Sequence, residues 1–464
     1  MMISNIRSPL YSAYLRLSGR GKQLGFYSHF QKLQFESRRD MWHRHVDRVS
    51  HMLRFSRSNV PYYRDIFKDL SITEDDIAND PLGVLRLMPL LDRSVLRDRF
   101  EDLKARDLGN RRWYLNSSGG STGEPVQFVQ DAQYHAASMA NKYLFDEWSG
   151  CSLGMPKVLL WGSERDLLVG KESFRARVGR WLRNEYPLNA FRTTTADMFQ
   201  FVETINRVRP VQLLAYVDIA TELANFIENE GLCVYSPKSV MTTAGTLYPH
   251  MREVIERVFR APVFNRYGSR EVGDIACECE KAEGLHINPS THHVEILRPD
   301  GSYCDPGEIG EVVVTLLTNE AMPLLRYRIG DMAAWTDETC SCGRQWPLLK
   351  EVSGRIMDVL RRKDGSSVTP AYFVHFFGVV ERGDLSFIKK YQLIQEDFDS
   401  LRLLIVSDLA ADQVMSNIEK ARGVIEQIVR RVMGDSCQLS IECVPDIPKT
   451  SSGKYRYIVS KLQA

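Results

Sequence analysis

The sequence predicts an α/β protein with a helical N-terminal region, a large sheet-containing core and a small α+β C-terminal unit. Three observations predict it. Apolar residues recur at helical spacing in the first ~110 residues. From Trp113 to Lys350, short β-branched runs alternate with helical patterns. After Gly354 the pattern changes to strands around one long amphipathic stretch, a unit of about 110 residues.

The elements follow in order. Trp42, Val46, Val49 and Leu53 fall at spacings of 4, 3 and 4, one face of a helix. Pro61 then breaks that pattern. Arg38, Arg39, Arg44, Arg48, Arg54 and Arg57 read as its solvated face. Residues 157–161, Lys-Val-Leu-Leu-Trp, form a short buried-strand candidate. A helix is expected over 218–228, with Gly231 as its stop signal, and another over 251–259. Pro262, Val263 and Phe264 lead into an expected turn at Tyr267 and Gly268. Residues 310–317 carry the β-branched run of a strand. In the C-terminal unit, strands are expected over 387–394, 401–406 and 437–444, with a helix over 411–433. Gly354 and the polar stretch 361–367 mark a boundary or hinge. The chain shows no internal repeat and no low-complexity tract.

Composition narrows the class. The 464 residues are 44% hydrophobic and 26% charged, which excludes collagen-like, disordered and disulfide-scaffold proteins. At roughly 100–200 residues per domain, two to four domains are expected. Lys plus Arg number 60 and Asp plus Glu 59, so no global field draws the chain to nucleic acid or to an acidic membrane. A local patch stays open. Nine cysteines are sparse, and the odd count argues against complete internal pairing. No apolar run reaches the ~20 residues of a membrane helix. The first thirty residues are basic and broken by Ser8, Pro9, Ser12, Ser18, Gly19 and Gly21, without the apolar core of a signal peptide. A cytoplasmic protein is expected.

The segment 117–125, Ser-Ser-Gly-Gly-Ser-Thr-Gly-Glu-Pro, suits phosphate: small residues let backbone amides approach it, and hydroxyls add donors. It is not a Walker loop, because Gly123 is followed by Glu124 and Pro125 rather than Lys and Ser or Thr. Alone it reads as a polar surface turn. Four further segments accompany it in order: 266–271 Arg-Tyr-Gly-Ser-Arg-Glu, 326–331 Arg-Tyr-Arg-Ile-Gly-Asp, 353–358 Ser-Gly-Arg-Ile-Met-Asp, and 448–456 Pro-Lys-Thr-Ser-Ser-Gly-Lys-Tyr-Arg. Cys277 and Cys279, then Cys340 and Cys342, are two Cys-x-Cys pairs, and His286 lies seven residues after Cys279. By spacing alone these are a zinc site of four thiolates, a zinc site of three thiolates and one imidazole, or reduced buried cysteines.

The five ordered motifs resemble those of the adenylate-forming superfamily, which includes acyl-CoA synthetases, nonribosomal adenylation domains and luciferases. The match is to the phenylacetate-CoA ligase branch, and the form of the loop is similar to that of ligase-like proteins of capsule and exopolysaccharide clusters. This resemblance implies a helical region over 1–110 packed on a core, an ATP- and acyl-binding core over 111–353, and a small mobile domain over 354–464. It implies ATP-dependent activation of a carboxylic acid as an acyl-adenylate, release of pyrophosphate, and transfer to CoA. An amine is the alternative acceptor, as in an amide ligase of polysaccharide or secondary-metabolite biosynthesis. An inactive scaffold relative is a third reading. The charge balance, the single metal cluster and the five ordered motifs argue against a zinc-containing nucleic-acid or partner-binding protein.

By the same resemblance, Ser118, Gly119, Gly120, Ser121, Thr122 and Gly123 would grip the β- and γ-phosphates. Glu271 would hold Mg²⁺, a hard cation suited to oxygen ligands. Tyr267, with Gly268 and Ser269, would pack near adenine. Asp331 and Arg355 would contact the ribose, and Gly245 would lie in the nucleotide site. Lys454 would reach the reacting carboxylate and α-phosphate from the small domain. The acyl pocket falls around Trp161, Tyr216 and 242–245, and the acid itself is not named by these residues. For the metal, the resemblance gives Cys279, His286, Cys340 and Cys342 as ligands of a structural Zn²⁺, with Cys277 as runner-up. Two positions depart from the family pattern: Glu124 stands where many members have Lys, and Met357 stands where Asp or Lys is usual at the hinge. Monomer and homodimer both stay open.

Overall fold

A computed structural model describes residues 4–118, 126–161, 174–190, 194–355, 360–363, 367–368, 373, 387–447 and 456–462. Helices open the chain, with Ser4–Leu17, Lys22–Leu33, Arg38–Asn59 and Pro61–Asp69 followed by three short ones before residue 100. Pro61 occupies the first turn of its helix behind Val60, where its missing N–H costs nothing. The sequence pattern therefore ends at Asn59 because a new helix begins.

The buried face of Arg38–Asn59 is rotated from the expected one. Val49 and Leu53 are buried, but Met52, Ser56 and His45 join them, while Trp42 is exposed. His45 is buried because both ring nitrogens are bonded: Nδ1 lies 2.8 Å from the Pro289 carbonyl and Nε2 lies 2.8 Å from His293 Nδ1. Arg38, Arg39, Arg44 and Arg54 of this helix form the solvated face expected, whereas Arg48 is partly buried and its guanidinium is pushed down by that burial. Arg44 pairs with Glu36 at 2.9 Å and Arg54 with Glu74 at 2.7 Å, all partly or fully exposed.

The core is one eleven-stranded sheet. A separate hairpin precedes it, β1 (Trp113–Ser117) with β2 (Gln127–Asp131). The first part of the sheet is parallel: β3 (Lys157–Trp161), β4 (Glu185–Asn189), β5 (Gln212–Tyr216), β6 (Ser239–Thr243) and β7 (Val263–Ser269), in the order β4-β3-β5-β6-β7. Helices Thr195–Val208, Val217–Asn229 and Pro249–Phe259 supply the crossovers. Every residue of β5 and β6 is buried, as parallel strands covered on both faces require. Beyond β7 the sheet turns antiparallel through β8 (Gly273–Glu278), β9 (Leu285–Ile287), β10 (His292–Leu297), β11 (Gly310–Leu316), β12 (Tyr327–Thr336) and β13 (Leu348–Arg355), ordered β10-β11-β12-β13-β9-β8-β7. The turn expected at Tyr267 and Gly268 is instead strand: β7 runs to Ser269 and the chain reverses at 270–272. The N-terminal helices pack on this half, with Val49, Leu53 and Phe67 in one apolar cluster with Val312, Val314 and Tyr327.

The C-terminal region begins with a short ladder of β14 (Leu360–Arg361) and β15 (Ser367–Val368). A four-stranded sheet follows, ordered β18-β17-β16-β19 from β16 (Lys390–Asp397), β17 (Ser400–Val406), β18 (Gln438–Cys443) and β19 (Ile458–Ser460). Helix Ala411–Met433 buries Val414, Ile418, Ala421, Ile425 and Val429 at helical spacing. The same cluster includes Val217, Tyr248 and Met251 of the large core, so the small sheet is seated beside the C-terminal ends of β5 and β6. Among the described residues, no helix is long and apolar enough to cross a membrane.

Candidate active site

A cavity of about 430 Å³ opens at that junction. It is lined by Ser118 from the hairpin, Gly245 after β6, Tyr267 to Glu271 from β7 and its turn, Asp331 of β12, Gly354 of β13, and Arg456 to Ile458 of the small body. Segments that are remote in sequence and were singled out as motifs thus face one space.

The hairpin sets the mouth of the glycine-rich loop. Ser118 N donates to Val126 O at 2.9 Å, and Val126 N donates to Ser118 Oγ at 3.0 Å. Gly119 to Gly123 and Glu124 lie outside the described residues. Tyr267 donates from its hydroxyl to Asp331 Oδ2 at 3.0 Å, linking the expected adenine and ribose positions. Asp331 is the ladder partner of Arg355, whose side chain lies outside the described set. Gly268 sits at a bulge where β7 and β8 approach closely. A Cβ there would lie 2.3 Å from the Gly273 carbonyl oxygen, so only glycine fits. Met357, Asp358 and Lys454 lie outside the described residues; Arg456, two positions after Lys454, lines the cavity.

Glu271 is 3% exposed and lies in the turn after β7. Gln130 Nε2 donates to the carbonyls of Arg270 and Glu271 at 3.1 and 3.3 Å and pins that turn to β2. The Glu271 carboxylate is 3.2 Å from Arg93 Nη2. Burial pushes the Arg93 guanidinium down, but Glu271, Tyr327 and Asp331 outweigh it and hold its pKa above the ordinary value. Burial, with Glu271 second, raises the Tyr327 phenol. Arg93 was not singled out in the sequence. Asp92 caps its helix by accepting from Val95 N at 2.9 Å, and Leu91 pairs with β12 through Arg326 O and Arg328 N, which aims Arg93 at Glu271. The cap is legible in the sequence; the bridge to β12 is not.

The four expected metal ligands also converge. Cys279 follows β8, His286 is in β9, and Cys340 and Cys342 lie between β12 and β13. Their donor atoms all lie within 4.8 Å of one another. Cys279 Sγ is 3.5 Å from Cys340 Sγ, and Cys342 Sγ is 3.4 Å from His286 Nε2. Sulfurs about 2.3 Å from a tetrahedral zinc would stand roughly 3.8 Å apart, so the donor set and its spacing fit that ion. Backbone N–H groups of Lys281 and Arg344 point at Cys279 and Cys342 Sγ at 3.4 Å each, as thiolates require. Burial, aided by Arg344, lowers His286 to about 4, so the imidazole is neutral and ready to ligate. Cys277 is outside this group, buried in the apolar cluster around Trp148 and Trp346.

Known proteins resemble this chain in sequence and in fold. Residues 360–461 match the family model of the CapK C-terminal domain. The chain is 24% identical over 428 residues to Protein CapK of Staphylococcus aureus, covering 91% of this chain and 90% of that one. It is 28% identical over 442 residues to phenylacetate-coenzyme A ligase of Thermus thermophilus, covering 89% of this chain and 95% of that one. The chain is a homologue of CapK and of the phenylacetate-CoA ligases. Its fold matches that of solved acyl-CoA ligase structures. It superposes on 2-hydroxyisobutyryl-CoA ligase in the postadenylation state with a TM-score of 0.71, 18% identity, and coverage of 90% of this chain and 89% of that one. Against the thioesterification state of the same ligase the TM-score is 0.60, at 16% identity and coverage of 93% and 91%.

Proposed function

We propose that this protein activates a small carboxylic acid with ATP, forming an acyl-adenylate and pyrophosphate, and transfers the acyl group to CoA. The observation that carries this reading is the convergence of Ser118, Gly245, Tyr267, Glu271, Asp331 and Arg456 on one cavity between the large sheet and the small body. In the first step a carboxylate oxygen bonds to the α-phosphorus and the bond to pyrophosphate breaks. Two anions meet, so preorganised donors and cations must stabilise the crowded phosphate. The loop amides and hydroxyls of 118–123 hold the outgoing phosphates. Arg93 adds the cation that Glu124 does not supply, and Tyr267 and Asp331 fix the nucleoside. Lys454 neutralises the reacting oxygens from the small domain. Mg²⁺, when bound at Glu271, adds further positive charge at the phosphates.

In the second step the CoA sulfur attacks the acyl carbon, the thiol proton leaves to solvent and AMP departs. The unit 354–464 turns between the steps about the Gly354 region, where Gly354 has φ +107°. Cys279, His286, Cys340 and Cys342 hold a structural zinc that ties β8 and β9 to the β12–β13 connection. The protein acts in the cytoplasm. Screening a carboxylate library for ATP- and Mg²⁺-dependent pyrophosphate release, with and without CoA, tests the reading. Release with at least one acid, and a thioester only when CoA is present, is expected. Failure of every acid in the library to stimulate pyrophosphate release would reject it.

A further inference from the structure

The unabsorbed feature of this molecule is its first helix. Ser4–Leu17 buries Tyr11 and Leu15 against Tyr143 and Leu182. At about 100° per residue, Pro9, Leu10, Ala13 and Leu17 fall within one arc of about 100° on the other side. All four are exposed, and nothing among the described residues covers them. Leu17 is 89% exposed and Leu10 46%. Arginines edge this arc: Arg16 lies about 20° beyond one side and Arg7 about 60° beyond the other. Arg7 extends the apolar surface sideways, because its guanidinium stacks 4.9 Å over Trp181 of helix Phe174–Arg183, and Trp181 is 57% exposed.

Charge is as one-sided as the apolar arc. No Asp or Glu occurs among the first 35 residues, which carry Arg7, Arg16, Arg20, Lys22 and Lys32. The sequence of the neighbouring helix Phe174–Arg183 has four arginines and no acid; Arg180 lies beside Arg7 and Trp181, while Arg183 pairs with Glu185 at 2.7 Å. The whole chain nets only +1, so this face is a local concentration of positive charge.

We propose that this face docks the protein on an anionic lipid bilayer. Leu10, Ala13, Leu17 and Trp181 sit among the upper acyl chains while the arginines meet phosphate headgroups, the arrangement of an amphipathic helix lying in the interface. A nucleic acid would match the arginines but leave Leu10 and Leu17 in water, and an acidic protein would be held without lipid.

Flotation of the full-length protein with vesicles decides the matter. At low salt the wild type should float with vesicles of mixed phosphatidylglycerol and phosphatidylcholine, and stay behind with pure phosphatidylcholine. Arg16→Glu with Arg20→Glu should weaken binding roughly tenfold or more, since each basic residue near such a surface contributes about a fivefold factor. Leu17→Glu should also weaken it. Both variants should keep the wild-type melting temperature, because the altered side chains are exposed. Subtracting the Trp181→Phe spectrum should isolate a blue shift when anionic vesicles are added. A wild type that does not float with anionic vesicles at low salt overturns the proposal. So does binding that Leu17→Glu leaves unchanged while heparin displaces the protein, which would mark a polyanion site instead.

Discussion

Replacing Glu271 by Gln tests the chemistry at the point where the structure is most specific. Glu271 is 3% exposed and its ion-pair partner Arg93 is 28% exposed, at 3.2 Å. Removing one charge of a fully buried pair costs about 3–5 kcal/mol. Arg93 regains solvent through the cavity, so the cost here should be nearer 1–3 kcal/mol, a loss of several degrees in melting temperature. The effect on rate is separate and larger. A neutral amide is a poor ligand for a hard cation, and loss of one charge-stabilising element at a reacting phosphate costs roughly 10²–10³ in turnover. The assay is pyrophosphate release against Mg²⁺ concentration, made on folded protein below its melting temperature. Arg93→Gln serves as the control: it should weaken ATP binding while the metal requirement persists. Wild-type rates for Glu271→Gln at every Mg²⁺ concentration would refute the role given to this carboxylate.

Other outcomes follow from the same geometry. Elemental analysis of protein purified without chelator should find one zinc per chain, and Cys342→Ser should lower the melting temperature more than it lowers activity in the surviving fold. Lys454→Ala should slow adenylation by roughly 10²–10³ while sparing transfer from synthetic acyl-adenylate to CoA, measured in single turnovers; equal losses in both would remove the alternating role of the small domain. Stability should fall with acid through the buried histidines. Burial lowers His45, and it lowers His293, aided by His45, Arg326 and Arg86, to about 3; burial also lowers His292, to about 4. Their folded pKa values lie below the unfolded value, so the unfolded chain takes up protons first. The stability is fully present above about pH 6.5 and is lost as pH falls, by up to about 1.4 kcal/mol per pH unit for each group. Melting curves at pH 7 and pH 5 measure this, and His293→Gln should flatten the difference.

The expected motifs could be read from the sequence because each packs several chemically constrained residues into a short run. Gly268 illustrates the reason: the close approach of β7 to β8 forbids any side chain, so the residue type itself reports the geometry. The helix 411–433 was legible for another reason, since a single apolar stripe faces one sheet. Long-range pairings were not. His45 reads as a polar residue on a helix, and only the fold brings it to His293 and Pro289, turning the buried face away from Trp42. Arg93 reads as one arginine among many, because the Leu91 bridge to β12 that aims it at Glu271 spans more than two hundred residues. The Cys-x-Cys pairs left Cys277 and Cys279 as rivals. Cys279 lies just past the end of β8 and shares one site with the other three donors, whereas Cys277, within β8, is not part of that donor group.

The most direct measurement uses the acid found by the screen, labelled with ¹⁸O in its carboxylate. If the carboxylate oxygen attacks the α-phosphorus, AMP released after transfer to CoA must carry one ¹⁸O, detected by mass spectrometry as a shift of about two mass units, and the pyrophosphate must carry none. Label appearing in inorganic phosphate with ADP as co-product, or in neither product, would contradict carboxylate activation through an adenylate in this cavity.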